Sequence, residues 1–196
     1  MTRRPLLAFA AGLAATVAVG WAALPSLLYA RVEQPLRFSH LTHTSDEVGS
    51  KCEDCHPFSA DGRFAGVPRL EQCAGCHSEA QGTSAEEKRL VEDFVKPGRE
   101  IPWRVYARQP EHVFFPHAPH VKRAGLSCET CHGPHGRTDA LRPFESNRVT
   151  GESRDVWGES MSRLGNPPGR GMKMSDCEGC HAARGRARTA CLACHK

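Results

Sequence analysis

No cysteine of this 196-residue chain stands alone, so there is no spare thiol for an intermolecular bridge or a lone nucleophile. Nor does any grouping of serine, cysteine, histidine and carboxylate suggest acid–base or nucleophilic catalysis by the chain itself. The length asks for one modest domain and not for two. From Pro5 to Ala30 there is not one charged residue.

The ten cysteines form five pairs with two residues between partners: Cys52/Cys55, Cys73/Cys76, Cys128/Cys131, Cys177/Cys180 and Cys191/Cys194. Such pairs serve disulfides in secreted scaffolds, zinc sites, or haem attachment where a histidine follows directly. Here a histidine follows every pair, at His56, His77, His132, His181 and His195, although only 11 of 196 residues are histidine. The reading is five covalently attached haems c. In CxxCH the thiols form thioethers with the haem vinyl groups and the histidine is the proximal iron ligand. Because each haem brings two propionates, five ferric haems shift the formal charge of +4 by about five negative charges. The basic balance is therefore no argument for a nucleic-acid partner.

After Arg3 and Arg4, the run LLAFAAGLAATVAVGWAALPSLLYA is long enough to cross a bilayer as a helix, with Trp21 and Tyr29 toward its outer interface. A cleaved signal peptide has a shorter apolar region, and a cut after Ala30 would leave Leu28 where a small residue belongs. The expectation is an uncleaved anchor at 1–30 in the inner membrane and a periplasmic pentahaem domain at 31–196. About 166 residues then serve five haems, roughly 33 each, so the porphyrins must supply most of the core. The expected fold is mostly irregular with small α-helices.

One longer helix is legible in EEKRLVEDFVK: Ser84 and Glu87 have capping-box spacing, Leu90, Val91, Phe94 and Val95 share a face, and Pro97-Gly98 stops it. The 44 residues between His132 and Cys177, with Gly165-Asn166-Pro167-Pro168-Gly169, read as a partner-facing loop. Phe38-Ser39-His40-Leu41-Thr42-His43 before the first motif and Phe115-Pro116-His117-Ala118-Pro119-His120 before the third form an internal repeat, implying two related haem modules. Nine residues separate His181 from Cys191, so the last two haems lie close together. From Arg163 onward seven Lys/Arg face only Asp176 and Glu178, a basic end suited to propionates, an acidic partner or plain solvent.

Distal ligands come from anywhere in the chain, and six further histidines remain. His40, His43, His117 and His120 stand out because an FxHxxH pair can send neighbouring imidazoles to two irons. His112 and His135 lie in turn-like surroundings and are either ligands or solvated. Met172 and Met174 precede Cys177; a methionine ligand would raise a haem potential, whereas the plain alternative is packing on a porphyrin face.

FSHLTHTSDEVGSKCEDCH resembles the start of a class III cytochrome c module, in which FxHxxH supplies distal ligands. IPWRVYARQPEHVFFPHAPHVKRAGLSCETCHGPHG, followed by MKMSDCEGCH and CLACHK, resembles the membrane-anchored multihaem subunit of the menaquinone reductase complexes of sulfate reducers and of alternative complex III. The resemblance maps His40, His43, His117 and His120 onto ligand histidines and Met174 onto a methionine three residues before a motif. It implies partners: iron–sulfur/molybdopterin-type periplasmic subunits, a polytopic quinone-binding membrane subunit, and a soluble periplasmic cytochrome c as electron donor. It also leaves room for a sixth, noncovalent haem on a spare histidine.

The leading expectation is an electron-relay subunit of a quinone-linked complex, working between periplasmic cytochromes and menaquinone. Alternatives are the quinol-oxidising subunit of alternative complex III and a stand-alone anchored quinol dehydrogenase. A haem enzyme reducing a small oxyanion would need an open distal position and often a lysine in place of a motif histidine, yet all five motifs end in histidine.

Overall fold

The uncharged N-terminal run folds as helix α1, Arg3–Leu28. Its 26 residues extend about 39 Å, more than a bilayer's hydrocarbon core, and no part of Arg4–Ala23 is buried inside the protein. The structure, a computed structural model, describes residues 3–109, 112–154, 172–186 and 191–195.

Strand β1, Tyr29–Val32, begins at the residue after α1 and pairs antiparallel with β2, Phe144–Asn147, from Tyr29↔Asn147 to Val32↔Phe144. The junction is tied down, because the Arg148 amide donates to the Leu28 carbonyl at 2.8 Å. Glu145 on β2 takes Arg31 at 3.5 Å and Arg154 at 3.1 Å. Strand β2 lies inside the stretch that reads as a loop from sequence. Four residues are too few to show a two-residue alternation, and its pairing depends on a strand more than a hundred positions away. The Gly165–Gly169 turn signal lies outside the described residues.

The remaining α-helices among the described residues are short: α2, His40–His43; α3, Cys52–Cys55; α4, Leu70–Ala74; α5, Ala85–Leu90; α6, Glu129–His132; α7, Met174–Ala183; and α8, Cys191–Cys194. Helix α5 runs on into a π-helical turn, Val91–Val95, and the chain then reverses at Gly98, whose φ of +64° suits glycine. The apolar face expected there is the one buried: Val91 and Phe94 are 3% and 7% exposed, and Phe94 clusters with Leu36, Leu70 and Ile101. The expected capping box does not form. Ser84 is the N-cap but makes no side-chain cap bond, and Glu87 is engaged elsewhere.

Among the described residues only Leu36, Leu70, Val91, Phe94, Ile101 and Phe144 are buried apolar side chains, and none falls below 2% exposure. The apolar core among the described residues is therefore small for the length of the domain. The two halves of the domain meet at Gly62 (φ +68°), where an added Cβ would sit 2.7 Å from Ala118 Cβ. That close approach lets the Ala118 amide reach the Gly62 carbonyl at 2.9 Å.

Candidate haem-binding sites

Each CxxCH motif winds into one helical turn. The amides of His56, His77, His132 and His195 reach the carbonyl of the first cysteine of their motif at 2.8–3.0 Å, and His181 lies within α7. Residues i, i+3 and i+4 of a turn share a face, so both thiols and the imidazole of each motif project together. Three of the turns are started by a side chain of the motif region itself. Asp54 accepts from the Lys51 amide, Gln72 from Arg69 and Asp176 from Lys173, at 2.7–2.9 Å, satisfying an otherwise orphaned N–H at each helix start. No two of the ten cysteines are joined in a disulfide, and no three His, Cys, Asp or Glu among the described residues are grouped as a metal-binding cluster.

The repeated FxHxxH segments adopt one shared geometry. Phe38 stacks on His43 (4.3 Å between ring centroids, 24°) and meets His40 edge-on (4.9 Å, 85°). Phe115 stacks on His120 (4.5 Å, 28°) and meets His117 edge-on (5.0 Å, 86°). In both, the second histidine donates from Nδ1 to the carbonyl four residues back, His43 to Ser39 at 2.7 Å and His120 to Pro116 at 2.8 Å.

Every motif histidine has a second histidine ring about 6 Å away, four of these from the two repeats and the fifth from His112. Numbering the sites by motif, His40 faces His56 at site 1 (6.3 Å, 17°), and His43 faces His77 at site 2 (6.1 Å, 57°). At sites 3 and 4, His117 faces His132 (6.3 Å, 3°) and His120 faces His181 (6.1 Å, 10°). At site 5, His112 faces His195 (5.9 Å, 22°). In each repeat the first histidine meets the next motif and the second histidine meets the motif after that. Met174, the first residue of α7, points its sulfur not at its own motif but at His195 Nε2, 3.4 Å away. The His135 ring lies 6.3 Å from that of Tyr106, near enough to His132 and His40 to help lower the pKa of both.

The spacing fits a haem iron. Metal–imidazole bonds of about 2.0 Å on both sides, plus roughly 1.1 Å from nitrogen to ring centre, put two axial imidazoles about 6 Å apart. The tautomers agree: His56 donates from Nδ1 to Gly66 O at 2.6 Å and His117 to Arg63 O at 2.7 Å, leaving the Nε2 lone pair for a metal. Burial, then the neighbouring His56, His135 and His43, bring His40 down to about 4. Burial and then His117 lower His132. Both rings are thus neutral near pH 7, the form that binds metal.

The thiols show how the sites follow one another. Burial pushes up the Cys55 thiol, with Asp54 and the nearby Cys76 of site 2 adding to the effect. Cys128 of site 3 is raised first by burial and then by Cys52 of site 1. Cys131 is raised by burial and by Cys180 of site 4, and Cys177 by burial, Asp176, Cys131 and Cys194 of site 5. The sites therefore run in the spatial order 2, 1, 3, 4, 5. Site 2 adjoins the segment that follows α1, since Cys73 packs against the cluster containing Leu36. At the other end, the Phe114 amide donates to the Cys194 carbonyl at 2.6 Å.

One residue of these sites is not legible as such in the sequence. Glu87, read as half of a capping box, accepts from His77 Nδ1 at 2.8 Å and from the amides of Gln81 and Gly82 at 2.8 and 2.9 Å. The Gln81 amide first, then Gly82 and His77, hold its carboxyl below the usual carboxylate range. A carboxylate ten residues past a motif, followed by an apolar helical face, is the signal that was available.

Two family models match the chain: cytochrome c3 over residues 42–142, and cytochrome c7 and related cytochrome c over residues 113–196. The chain is also 37% identical, over 96% of its length and 89% of the relative's, to the menaquinone reductase multiheme cytochrome c subunit of Nitratidesulfovibrio vulgaris strain Hildenborough.

Proposed function

Because the chain belongs to the family of the menaquinone reductase multihaem cytochrome c subunit, built from cytochrome c3- and c7-type modules, we propose that it is the electron-relay subunit of a membrane-bound quinone-linked oxidoreductase. It relays electrons between periplasmic c-type cytochromes and the menaquinone pool. The observation that carries this reading is that all five motif histidines face a second histidine at 5.9–6.3 Å. Every iron is then six-coordinate, which suits electron transfer and leaves no open position for a small substrate.

On this reading Cys52, Cys55, Cys73, Cys76, Cys128, Cys131, Cys177, Cys180, Cys191 and Cys194 hold five haems c. The ligand pairs are His40/His56, His43/His77, His117/His132, His120/His181 and His112/His195. One-electron redox chemistry is what the haem irons supply. The chain's part is to orient His43, His56, His77, His117 and His120 by their Nδ1 bonds, keep solvent from the irons, and set the sites in one series. His135 is the remaining histidine on which a sixth, noncovalent haem would depend. The anchor places the domain in the periplasm, with the site 2 end nearest the membrane and the site 5 end outward. The partners are a polytopic quinone-binding subunit, iron–sulfur/molybdopterin-type periplasmic subunits and a soluble cytochrome c.

The test is to tag the protein in its native host, solubilise the membranes in detergent and identify what co-purifies by mass spectrometry. Recovery with an iron–sulfur protein and a polytopic membrane subunit supports the relay. Recovery alone, or with a single soluble reductase, replaces it with a stand-alone anchored quinol dehydrogenase.

A further inference from the structure

Of the ring hydrogen bonds that orient the paired histidines, those of His43, His56, His117 and His120 end on backbone carbonyls. That of His77 ends on the Glu87 carboxylate at 2.8 Å. Resting on the reading that His43 and His77 flank the iron of site 2, we infer that Glu87 is a positioning residue that holds site 2 at a lower redox potential than a carbonyl acceptor would.

A carboxylate accepting the Nδ1–H of an axial imidazole draws the proton toward itself and makes the ring a stronger donor to iron. It also adds a full negative charge beside the site. Both effects favour the ferric state over the ferrous state, whose net charge is one unit less positive. The effect is sheltered from solvent: the side chains of His77 and Glu87 are 21% and 13% exposed. It is also fixed in place. The Gln81 and Gly82 amides grip both carboxylate oxygens, and a Cβ at Gly82 would come 3.2 Å from Glu87 Oε2. Behind Glu87, helix α5 continues into Phe94, which packs on Leu70 of α4, the helix that carries Cys73. One small cluster therefore positions the covalent attachment and the carboxylate together, at the end of the series beside the membrane segment.

The test is a potentiometric titration of the detergent-solubilised holoprotein, followed by EPR, for wild type, Glu87→Gln, Glu87→Asp and His43→Ala. The site 2 signal is the low-spin signal that His43→Ala removes. Glu87→Gln keeps an acceptor but loses the charge. It should raise the reduced-to-oxidised ratio of that signal about tenfold at fixed potential, which is about 59 mV for one electron, and leave the other four signals in place. Glu87→Asp, which keeps the charge, should restore most of the wild-type ratio. An unchanged site 2 ratio in Glu87→Gln overturns the inference, as does an equal shift in Glu87→Gln and Glu87→Asp, which would mark Glu87 as a loop anchor only. If His43→Ala removes no low-spin signal, the ligand reading falls first, and the inference falls with it.

Discussion

The ring planes set up a spectroscopic prediction. At sites 1, 3, 4 and 5 the facing imidazoles are within 3–22° of parallel, whereas at site 2 they are tilted by 57°. Parallel imidazoles donate into the same iron dπ orbital and split it from its partner, giving ordinary rhombic low-spin ferric signals. Strongly tilted rings donate into both orbitals, bring them close in energy, and leave more orbital moment and a more anisotropic signal. The oxidised protein should therefore show four haem equivalents of rhombic signal and one strongly anisotropic equivalent. Replacing His43 by Ala should abolish the anisotropic signal, about one fifth of the low-spin intensity, and create one high-spin haem per chain that binds one carbon monoxide. His117→Ala should instead remove one rhombic equivalent. If His43→Ala left five low-spin haems, or took its loss from the rhombic group, the pairing of His43 with His77 would be wrong.

Three further outcomes follow from the same geometry. The pyridine haemochrome assay should give five haems per chain; a sixth that disappears in His135→Ala would place a noncovalent haem at that histidine. Met174→Ala should leave site 5 low-spin, because His112 faces His195 there, whereas His112→Ala should either turn it high-spin or, if the Met174 sulfur takes over, raise its potential and add a sulfur–iron charge-transfer band. Leu36→Ala should destabilise the holoprotein by about 2–4 kcal/mol in thermal unfolding, since it empties a site that is 5% exposed at the centre of the small cluster; a loss under about 1 kcal/mol would show that the haems, not this cluster, hold the first module together.

What could be read from the sequence was what covalent chemistry dictates. CxxCH names its own ligand and cofactor, and the FxHxxH repeat signals two modules because Phe38 and Phe115 do the same job on equivalent rings. The helical face of Val91 and Phe94 was legible from its spacing. Long-range partners were not. His112 could be read only as either a ligand or a solvated histidine, because the residue it meets, His195, lies 83 positions further on. Strand β2 was hidden for the same reason, and Glu87 was misread because a local rule, capping, competed with a contact that only the folded loop at Gln81 and Gly82 creates.

Where α1 ends, at Leu28, the two-stranded ribbon starts with no intervening residue, and the Arg148 amide ties the last helical carbonyl to the far strand. A carrier on a flexible tether of n residues roams over about 5–6 Å × √n and finds its partners by search. Here the tether length is nil. With α1 in a bilayer, as proposed, the domain would stand at one height above the lipid and turn only as the helix turns, so a change in helix tilt or rotation would pass directly to the position of site 2. On the proposed function, exchange at the membrane end would then need a neighbour held in a fixed pose beside it, and the mobility of the relay would belong to the soluble protein meeting its other end.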